Sequence, residues 1–153
     1  MKTISLVGYS DSGKTTVASA IIAEATRRGL RTAAVKVGHP AAEGGPEGAA
    51  GRKTRDTDRL LQAGADPVAF RTPGGWQVQV HDPAPQSMEI PRWLQAMMED
   101  VDLLVVEGRR IAGAFVVQTV GHDGRRKVED FDLLIENAPA EPLPPELLEV
   151  IGG

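Results

Sequence analysis

Gly8-Tyr9-Ser10-Asp11-Ser12-Gly13-Lys14-Thr15 has the residue types and spacing of a phosphate-binding loop. The β-type run Lys2–Val7 precedes it, and Thr16-Val17-Ala18-Ser19-Ala20-Ile21-Ile22, with helical apolar spacing, follows. The motif therefore stands in the strand–loop–helix setting that its mechanism requires. A polyphosphate tail needs many N–H donors close together with no side chains in the way, and a glycine-bounded loop opening a helix supplies them. Here those donors are the amides from about Asp11 to Thr16, including Ser12 and Gly13, with Ser10 in the same loop. Gly8 and Gly13 permit a close backbone approach that a Cβ would forbid. Lys14 places a point charge on the β- and γ-phosphates, and the Thr15 hydroxyl is a ligand for Mg²⁺.

Working outward, the spacing predicts a first helix from about Gly13 to Arg28, burying Val17, Ala18, Ile21, Ile22 and Ala25 against a sheet. Arg27 and Arg28 suit the negative end of that helix, and Gly29 suits the position past it. Arg31–Val37 reads as a buried parallel strand, so the chain opens with a right-handed β–α–β crossover, the start of a doubly wound α/β sheet. In such sheets ligands bind beyond the carboxyl ends of the strands, where Lys36 and His39 fall. A surface lysine and a loop histidine are the simpler account, and spacing alone favours it for His39. Residues 41–51, rich in Gly, Ala and Glu, read as a mobile loop of the kind that orders on binding. Arg52–Gly64 leads into a short helix, and its mixed charges fit either a solvated helix start or Asp56 reaching the metal and Arg55 reaching phosphate.

The second chemical landmark is Val101-Asp102-Leu103-Leu104-Val105-Val106-Glu107-Gly108. Four consecutive apolar residues followed by an acid describe a buried strand that delivers the Glu107 carboxylate to the sheet edge, as the acid that orients Mg²⁺ or the attacking water does in phosphate-loop enzymes. Arg109 and Arg110 follow, with solvated charge and contact to an anion as equal accounts. Between the landmarks, Val68–Arg71 and Trp76–Val80 pair as an antiparallel hairpin around the turn Thr72–Gly75. In that hairpin Trp76 has a packing role. A helix from Ser87 or Pro91 to Glu99 buries Leu94, Met97 and Met98, and Trp93 belongs to core or interface. Further strands are expected at 114–120 and 131–135 around the turn Gly121–Gly124, then a Pro-rich extended tail from Ala138 with at most one helical turn after it.

Bulk properties narrow the class. The 153 residues suit one domain over 1–153, and 41% hydrophobic with 25% charged residues is the balance of a water-soluble protein. No apolar run approaches the ~20 residues needed to span a bilayer, and the strand starting almost at Met1 leaves no secretory pattern, so a cytoplasmic location is expected. The net charge of −4 argues against nucleic acid or anionic membrane as a partner. Without cysteine, any metal must be held by oxygen or histidine. The fold class expected is a P-loop NTPase, three-layer α/β/α with a mostly parallel sheet and one antiparallel hairpin.

Several strings together resemble the MobB family, the GTP-binding accessory proteins of molybdopterin guanine dinucleotide biosynthesis. They are Gly8–Thr16, Arg28-Gly29-Leu30, Ala34-Val35-Lys36-Val37-Gly38-His39, Gly51–Thr57, Ala63-Gly64-Ala65 and Asp102–Gly108, covering roughly the first two-thirds. The resemblance implies that Gly8–Thr16 binds the GTP phosphates, that Asp56 and Glu107 lie near Mg²⁺ with catalytic roles beside Lys14, and that Lys36 and His39 line the site. It also implies a homodimer working with a MobA-like guanylyltransferase and molybdopterin. The chain departs from the family pattern with Val37 and Pro40 around His39, where the family carries a histidine-rich cluster, and with a longer Gly-rich loop at 41–51. No Asn-Lys-x-Asp string reads guanine, so GTP over ATP rests on the likeness. A small-molecule kinase or a dethiobiotin-synthetase-like ligase also places a Lys after strand two, and a non-catalytic nucleotide-gated adaptor is a third reading.

Overall fold

The computed structural model describes residues 1–37, 63–65, 68–79, 92–138 and 142–153. They fall into two compact units, Met1–Gly38 with Ile90–Gly153, and His39–Glu89. The strands of the first unit are β1 (Lys2–Val7), β2 (Thr32–Lys36), β5 (Leu103–Glu107), β6 (Phe115–Val120) and β7 (Leu133–Glu136). They form a single sheet in the order β2-β5-β1-β6-β7, and every neighbouring pair is parallel. The described part of the second unit holds the expected hairpin, β3 (Val68–Thr72) antiparallel to β4 (Gly75–Gln79).

The apolar run Leu103–Val106 explains why β5 sits inside the sheet. All four side chains are buried, and a parallel strand covered on both faces needs such a run. Alternation sends Leu103 and Val105 into one core with Ile4, Leu6, Val17 and Ile21. Leu104 and Val106 go to the opposite face with Met98, against partly buried Leu94 and Val101. Helices thus cover both faces: α1 (Lys14–Arg27) and α3 (Pro145–Gly152) on one side, α2 (Arg92–Met97) on the other. Val17, Ala18, Ile21 and Ala25 form the buried stripe of α1, with Ile22 partly buried. The helix stops where the sequence suggests: Gly29 lies at φ 77, its N–H reaches the Thr26 carbonyl at 2.9 Å, and the Leu30 N–H reaches Ala25 at 3.0 Å.

Several expectations are corrected. Arg31–Val37, expected as a buried strand, gives β2 at the edge of the sheet, and none of its residues is buried. The tail holds the eight-residue helix α3, in which Leu147 and Ile151 are fully buried against the α1 face. Cationic donors reach its last carbonyls: Arg28 Nη1 bonds the Leu148 carbonyl at 2.9 Å, and Lys2 Nζ bonds Val150 at 3.1 Å and Gly153. Pro144 and Pro145 therefore start a helix, where a missing N–H costs nothing. Met97 is 72% exposed, because α2 closes at that residue and the turn joining the Met98 N–H to the Gln95 carbonyl carries Met98 inward instead. Trp76 is 68% exposed; the hairpin register sets it opposite Arg71, whose guanidinium lies 5.6 Å from the ring centre. Trp93 is 44% exposed, so of the two roles expected for it the core is ruled out. The helix expected before Gly64 and the loop 41–51 lie outside the described residues.

Candidate functional site

The loop between β1 and α1 is held open by its backbone. Asp11 and Gly13 take left-handed φ values of 60 and 85, which turn successive amides to one side. Gly8 cannot be replaced freely, because a Cβ there would meet Ser12 Oγ, Thr119 Oγ1 and, at 2.6 Å, the Thr119 carbonyl. Helix α1 starts after Gly13 with no side-chain cap and no acid in its first turn. Its leading amides and positive dipole end are thus left for an anion. Ser10, Thr15 and Thr16 are exposed around this opening, while Ser12 is buried.

Ser12 is fixed from the neighbouring strand. Its Oγ lies 2.7 Å from Thr119 Oγ1, which itself donates to the Val7 carbonyl at 3.2 Å, so Ser12 is the donor of the pair. Thr119 and the adjacent Gln118 are fully buried on β6. Gln118 donates to the carbonyls of Thr119 and Val7, and its Oε1 accepts the N–H groups of Lys127 and Val128 at 3.2 and 3.1 Å. No buried side-chain polar atom among the described residues is left without a partner. The loop thus rests on a satisfied polar cluster, which gives it one conformation.

Strand order brings the distant acid to the loop. With β5 between β2 and β1, the ends of all three strands meet, and the register sets Lys36 and Leu6 beside Glu107. Thr15 Oγ1 donates to both Glu107 carboxylate oxygens, at 2.9 and 3.0 Å, and Lys36 Nζ pairs with the same carboxylate at 3.2 Å. Gly108, at φ 96, makes this convergence possible, since a Cβ there would meet the Val37 carbonyl. Lys14 Nζ donates to the Tyr9 carbonyl. Burial holds the Lys14 ammonium below its usual 10.5; Glu107 opposes this, and the like charges of Lys127 and Lys36 add to it.

Of the residues singled out from sequence, the structure brings together Gly8, Ser12, Gly13, Lys14, Thr15, Lys36 and Glu107. His39 and Asp56 lie outside the described residues. Asp102 has a structural role: its Oδ2 accepts the Arg31 N–H at 2.8 Å and ties the starts of β2 and β5. Arg110 pairs with Asp130 at 2.7 Å. Sequence reading missed Thr119, Gln118 and Arg125, whose guanidinium lies 4.4 Å from the centre of the Tyr9 ring. The one available signal for the last was the basic run Arg125-Arg126-Lys127 in an acidic chain. Thr15 and Glu107 form an all-oxygen donor pair, the chemistry that suits Mg²⁺, an ion that takes one or two carboxylates and fills its other positions with water and phosphate. A hard divalent ion therefore fits the residues present.

Comparison with known proteins points to one family. The family model described as "Molybdopterin guanine dinucleotide synthesis protein B" matches residues 3–127, beyond the resemblance that ends at Gly108. The molybdopterin-guanine dinucleotide biosynthesis adapter protein of Haemophilus influenzae is 29% identical over 107 residues, 69% of this chain and 55% of that protein. The chain thus spans about half the length of that relative. The crystal structure of Bacillus subtilis MobB shares the fold with a TM-score of 0.60 at 20% identity, covering 100% of this chain and 99% of that one. A second structure, of molybdopterin-guanine biosynthesis protein B, gives 0.57 at 22% identity, covering 99% of each chain. No helix among the described residues is long and apolar enough to cross a membrane. With a family model matching residues 3–127, most of its length, the chain belongs to the MobB family.

Proposed function

We propose that the chain binds GTP with Mg²⁺ on the loop Gly8–Thr16, hydrolyses it slowly, and acts as a cytoplasmic accessory protein in converting molybdopterin to molybdopterin guanine dinucleotide. The observation that carries this is the convergence of Thr15, Glu107 and Lys36 at the uncapped start of α1. Amides of residues 11–16 hold the phosphate oxygens, and Lys14 leaves the Tyr9 carbonyl to take the β/γ-phosphates. Thr15 and Glu107 would hold Mg²⁺, which neutralises phosphate charge when bound. Lys36, already at the Glu107 carboxylate, limits the negative charge that faces the triphosphate. Asp56 at the metal and His39 at the site rim complete the proposal, as do a homodimer and a MobA-like guanylyltransferase partner. The family, and the adapter role named for the Haemophilus influenzae relative, support the pathway, and the choice of GTP follows from the family resemblance.

Calorimetry with Mg·GTP and Mg·ATP tests the first half. Binding to the wild type, a preference for GTP and a loss of at least about tenfold in Lys14→Ala are expected. No nucleotide binding, or unchanged binding in Lys14→Ala, would overturn it. For the second half, the protein is added to a MobA-like enzyme with molybdopterin and GTP, and more dinucleotide product is expected.

The position of Lys36 favours one second reading. A lysine at the end of β2, facing the phosphate site, also suits a small-molecule kinase or a dethiobiotin-synthetase-like ligase. A phosphorylated or carboxylated metabolite formed with ATP would decide for that class. Background turnover with a nucleotide-dependent change in oligomeric state, read by light scattering, would decide for a non-catalytic adaptor.

A further inference from the structure

We propose that the β6–β7 connection supplies a second set of cations to the polyphosphate, with Arg125 as the residue that engages it and Lys127 beside it. The inference rests on the reading that Gly8–Thr16 binds a nucleoside polyphosphate, and adds the residues that grip the phosphate tail from the other side.

The connection is built into the site. At its start, the position a Cβ would take on Gly121 is 3.5 Å from both the Asp11 carbonyl oxygen and Ser12 Cα, so the chain leaves β6 directly against the phosphate loop. A turn follows, with the Gly124 N–H on the Gly121 carbonyl at 3.0 Å and the Arg125 N–H on Asp123 Oδ1 at 3.2 Å. Two residues later the buried Gln118 holds the amides of Lys127 and Val128. Arg125 thus projects from a short segment fixed at both ends.

Tyr9 joins the two sets of cations. Its carbonyl accepts the Lys14 ammonium, and its ring carries the Arg125 guanidinium at 4.4 Å. Two other cations are already paired with carboxylates: Lys36 with Glu107 and Arg110 with Asp130. Among the described residues, neither Arg125 nor Lys127 has a carboxylate at ion-pair distance. An exposed aromatic face holds a guanidinium weakly, whereas a phosphate offers it two charge-assisted hydrogen bonds. The Tyr9 ring therefore parks Arg125 beside the loop in a position from which phosphate can draw it away.

Calorimetry on the full chain with Mg·GTP, GMP and inorganic tripolyphosphate, at two salt concentrations, tests the assignment. Arg125→Ala is expected to weaken tripolyphosphate and GTP about tenfold with a smaller effect on GMP, and to lessen the salt dependence. Arg125→Lys restores part of the loss, since it keeps the charge without the fork. Lys127→Ala gives a smaller loss of the same pattern. Both side chains are exposed, so the melting temperature stays at the wild-type value. Wild-type affinity for tripolyphosphate in both alanine variants, while Lys14→Ala loses binding, overturns this inference and leaves the nucleotide reading standing. Equal weakening of GMP and tripolyphosphate with a lowered melting temperature overturns it too, by showing a purely structural role. Absence of binding in the wild type overturns the underlying reading.

Discussion

Glu107→Gln separates the electrostatic role of this residue from its structural one. The glutamine keeps the shape and one carbonyl oxygen, so it still accepts the Thr15 hydroxyl now shared between the two carboxylate oxygens at 2.9 and 3.0 Å. What it loses is the charge opposite Lys36, whose side chain is 67% exposed against 12% for Glu107. Water screens the pair on the lysine side, so the cost to folding should be no more than about 1 kcal/mol. A charged oxygen contact to a bound ion has no such screening once nucleotide covers it. At about 1.5–3 kcal/mol for a charge-assisted contact, Mg²⁺-dependent affinity should fall roughly 10- to 100-fold. Calorimetry with GTP, in Mg²⁺ and again in excess EDTA, beside urea unfolding of both proteins, gives the two quantities. Expected are a near-native urea midpoint, weaker binding in Mg²⁺, and unchanged or tighter binding in EDTA, because one negative charge no longer faces the triphosphate. An unchanged ratio of the two affinities in Glu107→Gln would show that the carboxylate is not at the ion, and the proposed metal role would be wrong.

Three further outcomes are expected. Leu147→Ala empties a fully buried position in the core shared by α1 and α3 and should cost about 2–5 kcal/mol by urea unfolding; a change within experimental scatter would mean that α3 does not dock. Gly108→Ala places a Cβ on the Val37 carbonyl at a φ of 96, so it should destabilise by at least ~1–3 kcal/mol and move Glu107, weakening Mg·GTP binding as well; wild-type behaviour in both assays would rule out the close approach. Because burial holds Lys14 below 10.5 in the free protein, its proton leaves as pH rises through that lowered value, and triphosphate affinity should fall there. The same sign makes the nucleotide-free protein gain stability from this group as pH rises from the lowered value to 10.5, since the unfolded chain then binds more protons. Lys14→Arg, which keeps its charge through this range, should remove the fall in affinity, and a titration curve identical to wild type would refute the assignment.

Local sequence was enough for the elements whose cause is local. The glycines of the phosphate loop, the apolar stripe of α1 and the four-residue apolar run of β5 each report backbone freedom or burial within a few neighbours, and the helix, strands and loop stand where those patterns put them. The tail was misread because prolines at 142, 144 and 145 argue for extended chain, whereas Leu147 and Ile151 gain their helical stripe only from the α1 face that receives them. The site divides in the same way. Gly8–Thr15 and Glu107 stand out in one dimension, the loop by its glycine spacing and the acid by the apolar run before it. That Glu107 accepts the hydroxyl of Thr15, 92 residues away, and Lys36 with it, follows from β5 lying between β2 and β1. The same holds for Thr119 beneath Ser12 and Arg125 on Tyr9, which β6 brings to the loop as the strand on the other side of β1. Sequence by itself determined the loop, the helix after it and the strand that ends in Glu107; only the order of strands in the sheet decided which side chains come together, because parallel strands meet through long crossovers whose pairing no local pattern encodes.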